Sequence, residues 1–163
     1  MIIGLISDTH NLLRPQAICA LTRSDLIIHA GDVGSPEIIH ALEAVAPVFV
    51  VRGNIDSAPW AQQLPAVATV ESDKHRIRVV HNIADLKSGP ALDGIDIVVS
   101  GHSHKPASSE KDGLLYINPG SAGPRRFRLP VTVALLDTAF TPSRLVFIDL
   151  LERTTVQTKS SRS

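Results

Sequence analysis

Four short polar clusters, Asp8-Thr9-His10, Gly31-Asp32, Gly53-Asn54 and Gly101-His102-Ser103-His104, each follow directly on a run of apolar residues, and His81 closes a fifth such run. Together they offer two carboxylates, one amide oxygen and four imidazoles with no thiolate. That mixed oxygen and nitrogen set suits Mn, Fe, Zn or Ni better than Mg or Ca. Asp8 and His10 stand two residues apart, as do His102 and His104. In extended chain this spacing sends both side chains of a pair to one face, so each pair is expected to grip one ion.

Groups so far apart in sequence need a fold that gathers them. Parallel and mixed sheets collect functional groups at the C-terminal ends of their strands, where the chain leaves the sheet and side chains converge on one crevice. Taken singly, each cluster reads as a turn signal. Placed together at the ends of five successive apolar runs, they read as a metal centre.

The surrounding pattern supplies such strands. Ile2 to Ser7 reads as a strand, and Pro15 to Leu21 as a helix whose first turn tolerates the proline. Asp25 to Ala30 is a second buried strand. Ser35 is placed as N-cap, with Pro36 at the first helical position of a helix carrying an apolar stripe through Ile39, Leu42 and Val45 and stopping before Pro47. Val48 to Val51 is a third apolar strand, and the alternation of strands and helices implies parallel pairing through right-handed crossovers. Beyond Asn54 the character changes. Ser57 to Pro65 reads as a loop carrying the lone tryptophan, Trp60, and Val67 to Glu71 with Arg76 to His81 as a hairpin around Ser72-Asp73-Lys74. Ile95 to Ser100, Leu114 to Ile117, Val131 to Asp137 and Leu145 to Leu151 read as strands, with a weak helical stretch near Asp85 to Lys87. Roughly nine strands exceed what one twisted sheet holds at this size, so two packed sheets flanked by helices are expected.

Composition narrows the class further. At 163 residues, 44% hydrophobic and 20% charged, the chain fits one globular domain with a substantial core, placed at residues 1–151. The polar residues 152–163 read as a disordered tail. Sixteen basic residues balance sixteen acidic ones, which gives no general pull toward nucleic acid or anionic membrane. Ile2 to Ile6 is too short for a signal-peptide core or a membrane span, so a cytoplasmic location is expected. Cys19, among Ala17, Ile18, Ala20 and Leu21, reads as a buried helical thiol. His29 reads as a satisfied core histidine supporting a ligand from behind, and His40 and His75 as solvated.

The clusters, in order, resemble the calcineurin-like metallophosphoesterase superfamily, whose pattern is Asp-x-His, Gly-Asp, Gly-Asn, a lone His and Gly-His-x-His. The match runs from Asp8 to His104 and extends to Asn118-Pro119-Gly120-Ser121, similar to a run in the small phosphodiesterases of the YfcE type. The retromer subunit that shares this small form is a related binding protein. The resemblance implies an α/β fold, a four-layer α/β/β/α sandwich with two mixed sheets. It places Asp8, His10, Asp32 and His104 around one divalent metal and Asp32, Asn54, His81 and His102 around a second, with Asp32 bridging. Manganese is the first choice, with Fe, Zn or Ni as alternatives. Two metals about 3.5–4 Å apart lower the pKa of a shared water and bind phosphoryl oxygens during in-line displacement. Asp32 and Asn54 thereby carry the catalytic roles. The neutral amide of Asn54 limits negative charge and leaves its NH2 free to donate to a phosphate oxygen, where an aspartate would repel substrate.

Two positions depart from the family pattern. Ile55 stands where many members carry a histidine near the leaving group, which leaves the general acid unassigned and favours good leaving groups. Asn82 replaces a common glycine and is expected to take positive φ in its place. Arg52 is a candidate phosphate contact, followed by Arg125 and Arg126. The expected function is a metal-dependent phosphodiesterase acting on a small phosphodiester or phosphate ester. The alternative is a catalytically weak interaction module of the same fold. Neither a membrane nor a nucleic acid is expected as partner, and assembly as a homo-oligomer is left open.

Overall fold

A computed structural model describes residues 1–86, 92–152 and 155–156, the last pair by backbone alone. Among the described residues, eleven strands and two α-helices follow in the order β1 (Ile2–Ile6), α1 (Pro15–Leu21), β2 (Leu26–His29), α2 (Pro36–Glu43), β3 (Val48–Val50), β4 (Val67–Glu71), β5 (Arg76–Val80), β6 (Ile97–Val99), β7 (Ala107–Lys111), β8 (Leu114–Asn118), β9 (Thr132–Asp137), β10 (Arg144–Asp149) and β11 (Thr155–Val156). The first sheet has the order β11-β10-β9-β1-β2-β3 and the second β4-β5-β6-β8-β7. In the first, β1, β2 and β3 run parallel and β9 antiparallel to β1. In the second, β5, β6 and β8 run parallel between antiparallel edges β4 and β7. Both sheets are therefore mixed, as expected.

Period-two alternation sorts the apolar side chains into two cores. Ile3, Leu5, Ile28, Ala134 and Phe147 of the first sheet meet Val70, Ile77, Val79, Ile97 and Ile117 of the second in the inter-sheet core. Ile6, Ile27 and Val133 face the other way, onto Ala17 and Leu21 of α1 and Ile38 and Leu42 of α2. Each fully buried Ile, Leu, Val or Phe among them contributes about 1.5–3 kcal/mol, which anchors the sheets whose ends carry the polar clusters. The layers follow the α/β/β/α sandwich, with a thin final layer. Among the described residues it holds the one-turn 3-10 helix Ile83–Asp85, whose Ile83 shares a cleft with Ser109, Lys111 and Tyr116.

Several local expectations change. Cys19 is exposed, because α1 packs through Ala17 and Leu21 and Cys19 lies about 200° round the helix from Ala17. Ser35 does cap α2, without a side-chain bond to its backbone, and Ile38 with Leu42 forms the buried line while Ile39 and Val45 are half-buried. β3 is an edge strand whose Phe49 is 46% exposed, so its apolar run is not buried on both faces. Residues 59–63 wind into a 3-10 helix inside the expected loop. Within the expected tail, Thr155–Val156 pair with Phe147 and Ile148 of β10. Residues 87–91, 153–154 and 157–163 lie outside the described residues, including Lys87 of the expected helical stretch and most of the tail. No helix of the described residues is long and apolar enough to cross a membrane.

Candidate metal centre

Strand register sets the centre up. Pairing of Ile6 with His29 brings the loops after β1 and β2 alongside each other. Those loops keep exchanging backbone bonds: Asp8 N–H donates to Gly31 O (3.0 Å), His10 N–H to Asp32 O (3.0 Å) and Asn11 N–H to Val33 O (2.9 Å). In the second sheet Gly101 N–H donates to His81 O (2.9 Å). The His81 ring then crosses between the sheets, donating from Nδ1 to Ala30 O at 2.7 Å. Glycine at these ends provides room. A Cβ on Gly53 would overlap the Asp32 carboxylate, and one on Gly101 would overlap Ser7 Oγ.

The side chains converge, although not by the extended spacing expected. Asp8, His10, Asp32, His102 and His104 all have positive φ, between 44° and 68°. Left-handed backbone is several-fold enriched in Asn, Asp and His yet still costs energy, and it is commonly stored at functional sites. It also splits the second pair. His104 Nε2 lies 3.2 Å from both His10 Nε2 and Asp8 Oδ1, whereas His102 Nδ1 lies 3.1 Å from Asn54 Oδ1. His81 Nε2 is 3.1 Å from Asn54 Oδ1 and 3.3 Å from Asp32 Oδ1. Asp32 stands between the groups, its Oδ2 being 3.6 Å from His10 Nε2. All seven clustered residues thus meet in one place.

The electrostatics of this place suit a cation. Ser7 Oγ and the His102 N–H donate to Asp8 Oδ2, while the buried Asp8 Oδ1 has no hydrogen-bond partner. With its Nδ1 proton on Ala30, the His81 ring presents Nε2 to the Asn54 and Asp32 oxygens, and in the neutral form that metal ligation requires this nitrogen is a third acceptor. Acceptors facing acceptors need a positive charge between them, so the set fits a divalent metal. Asp8, His10 and His104, and likewise Asp8, Asp32 and His81, bring donor atoms within 4.8 Å of one another. Burial lowers the His10 pKa, aided by Arg126 and His104 against the pull of Asp32 and Asp8. For His81 burial opposes protonation, but the Asp32 and Ala30 hydrogen bonds and the carboxylate charges outweigh it and raise the pKa. Burial pushes the Asp32 carboxyl up, and His81, the Ile55 N–H and His10 more than reverse this.

Further residues brace the loops. Asp56, the last residue of Gly53-Asn54-Ile55-Asp56, is buried and accepts from the N–H groups of Val33 (3.1 Å), Gly34 (3.0 Å) and Gly53 (2.8 Å), tying the second loop to the third. Asn118 Nδ2 donates to Gly101 O (2.7 Å) and Ser103 Oγ (3.0 Å), and Ser121 Oγ to Asp8 O (2.9 Å). The only sequence signal for these bracing roles was membership in the motifs. His29, fully buried, accepts at Nδ1 from Gly31 N–H (3.2 Å), so its Nε2–H donates to Thr9 Oγ1 (2.9 Å), which donates on to Val33 O (2.9 Å). Burial, against the nearby carboxylates, holds its pKa down at about 4, and the ring stays neutral.

Other expectations fare unevenly. Asn82 has φ −105° and accepts from Ala84 N–H at 3.0 Å, so it caps the 3-10 turn in place of the left-handed geometry expected. His75 is half-buried and paired with Ser143 Oγ at 2.9 Å, because the hairpin turn folds against the loop before β10. His40 is exposed, and Trp60 packs against the α1–α2 core. The Arg52 guanidinium has no hydrogen bond or ion pair among the described residues, and Arg125 Nε donates to Leu129 O.

Residues 1–140 match the Calcineurin-like phosphoesterase superfamily domain, and the chain belongs to that family. It is 34% identical over 147 residues, covering 83% of this chain and 85% of the relative, to a probable metallophosphoesterase of Methanothermobacter thermautotrophicus. It is 30% identical over 108 residues, 58% of this chain and 55% of the relative, to phosphodiesterase YfcE of Escherichia coli. Its fold is similar to that of vacuolar protein sorting 29 from Cryptosporidium parvum, with a TM-score of 0.76 and 24% identity over 98% of this chain and 96% of that one.

Proposed function

We propose that residues 1–151 act as one metal-dependent phosphodiesterase domain, cleaving a small phosphodiester in the cytoplasm. Asp8, His10, Asp32 and His104 would hold one divalent ion, and Asp32, Asn54, His81 and His102 a second, with manganese preferred and Asp32 shared. Two such ions, when bound, would activate water as the nucleophile at neutral pH and supply Lewis acidity for the phosphoryl oxygens. The observation that carries the reading is the unpartnered buried Asp8 Oδ1 beside the His104 nitrogen and near the Asp32 carboxylate.

The chain's own groups define the rest. The Ala30 carbonyl fixes the His81 tautomer, so that Nε2 faces the site, and the Ile55 N–H aims the Asp32 carboxylate. Asn54 is exposed at the rim, where its NH2 donates to a phosphoryl oxygen and its amide keeps the rim neutral. Arg52, half-buried beside it, supplies a cation for the phosphate. Ile55, 41% exposed, carries no proton, so a leaving group must depart with little help and esters of acidic alcohols react fastest. A catalytically weak interaction module would be expected to have lost donors, and none of the seven is lost.

The test is hydrolysis of a chromogenic phosphodiester and the matching monoester in Mn2+ by the parent, Asp32→Asn and His81→Ala. Loss of turnover in both variants with folding retained supports the reading. A metal-replete Asp32→Asn protein as fast as the parent would end it.

A further inference from the structure

The even balance of charge over the whole chain conceals one local excess. Between Asp112 and Asp137 stand Arg125, Arg126 and Arg128 and no acidic residue. Residues 124–128 are all exposed, and among the described residues none of these three arginines has an ion-pair partner. Arg14 adds a fourth cation at the foot of the loop, its Nη2 3.4 Å from Gly123 O. Phe127 stands among these cations 94% exposed, whereas the other exposed large apolar side chains of the described residues reach 37–52%. The Leu129 N–H on Arg126 O (3.1 Å) and Arg125 Nε on Leu129 O (3.2 Å) close a turn with Phe127 at its first corner, at φ +53°. Such a corner ordinarily selects Gly, Asn or Asp, so a phenyl ring there is disfavoured by backbone and by water alike. No contact among the described residues offsets either cost.

We propose that the turn at residues 124–129 docks on an anionic phospholipid bilayer, with Phe127 dipping into the acyl boundary and Arg125, Arg126 and Arg128 meeting the lipid phosphates. The ring stands alone at an apex, and a partner protein would have to bring a pocket shaped to receive it. A fluid bilayer needs no such shape. It takes up a protruding apolar group while the cations around it stay with the headgroups. A nucleic-acid strand is held instead by successive aromatic platforms along a cationic track, and one ring on a chain of balanced charge offers neither. The attachment is peripheral and reversible, since one ring and three cations fall far short of a spanning segment. It neither requires nor excludes hydrolysis at the metal centre.

The test is co-sedimentation of the full-length chain with vesicles of phosphatidylcholine alone and of an equimolar mixture with phosphatidylserine. Three cations, each giving about a factor of five near an anionic surface, should make binding to the mixed vesicles about a hundredfold stronger. Added salt should weaken it. Phe127→Ala should lower that binding about tenfold and Arg128→Gln about fivefold, and both variants should melt as the parent does. Phe127→Trp should keep the binding, and its emission should shift to the blue on the mixed vesicles while that of Trp60 in the parent, packed on the α1–α2 core, stays in place. Equal binding to both kinds of vesicle, or binding to neither, overturns the inference. So does binding that survives Phe127→Ala and Arg128→Gln unchanged, which places the contact elsewhere. Tighter, Phe127-dependent binding to a single-stranded oligonucleotide than to the mixed vesicles would assign the turn to nucleic acid and overturn it as well.

Discussion

The two halves of the centre differ in burial and in charge. Asp8, His104 and Asp32 are buried, and the loops that carry Asp8 and Asp32 are stitched together by backbone bonds, with His29 beneath them. In the other half the buried His81 and the shared Asp32 stand beside Asn54 and His102, which are exposed and add one neutral amide and one imidazole. A cation in the first half would be held by carboxylates shielded from water, where charge interactions are strong, and in the second half by weaker donors open to exchange. The buried half is thus suited to keeping an ion, and the open half to meeting a substrate.

The largest effect is expected at the residue common to both. Asp32→Asn should lower kcat about a thousandfold, roughly 4 kcal/mol of barrier, with circular dichroism unchanged. Next comes the support under the buried half. The unfolded chain takes up a proton on His29 near pH 6.5, which the folded protein refuses until about 4. The stability this gives is complete above pH 6.5 and declines as pH falls through that window, by about 3 kcal/mol. Urea midpoints measured between pH 7 and 4 should show the decline in the parent and a flatter profile in His29→Asn. A steep decline in the variant would assign the acid sensitivity elsewhere. Ligand changes sharpen the contrast between halves: Asp8→Asn should weaken the tighter Mn2+ site about a hundredfold, and His102→Ala the weaker site about tenfold, by calorimetry. Equal losses at both sites would erase the distinction. The smallest effect is at Asp56, where Asp56→Asn leaves acceptance at one oxygen and should cost about 2 kcal/mol of stability by thermal melting, with metal stoichiometry retained.

What could be read from the residues follows the same divide. The apolar runs that end in Asp8, Asp32 and His81 announce strands because they are buried, and the polar residues at their ends stand out against them. β7, Ala-Ser-Ser-Glu-Lys, is exposed at every position and is held by backbone pairing to β8, so nothing in its side chains marks a strand. Its Glu110 and Lys111 serve an edge strand by discouraging further pairing. The convergence of Asp8 with His10 was legible, but its cause was not, since left-handed φ at five of the seven clustered residues leaves no trace in a two-residue spacing. The exposure of Cys19 does not show in the residues, because four apolar neighbours hide which face of so short a helix packs. Asn82 resembles a stand-in for glycine by residue type alone, whereas its side chain serves as a cap. Asp56 and Ser121 brace loops from a distance in sequence that only the folded chain closes.

In the proposed centre a more buried and a more open ion site share Asp32. Titration of metal-free protein with Mn2+, read by calorimetry together with phosphodiester hydrolysis at each addition, tests it most directly. Two ions per chain should bind with separated affinities, and hydrolysis should rise only as the second, weaker site fills. A single ion per chain, or full activity reached with the first ion alone, would contradict it.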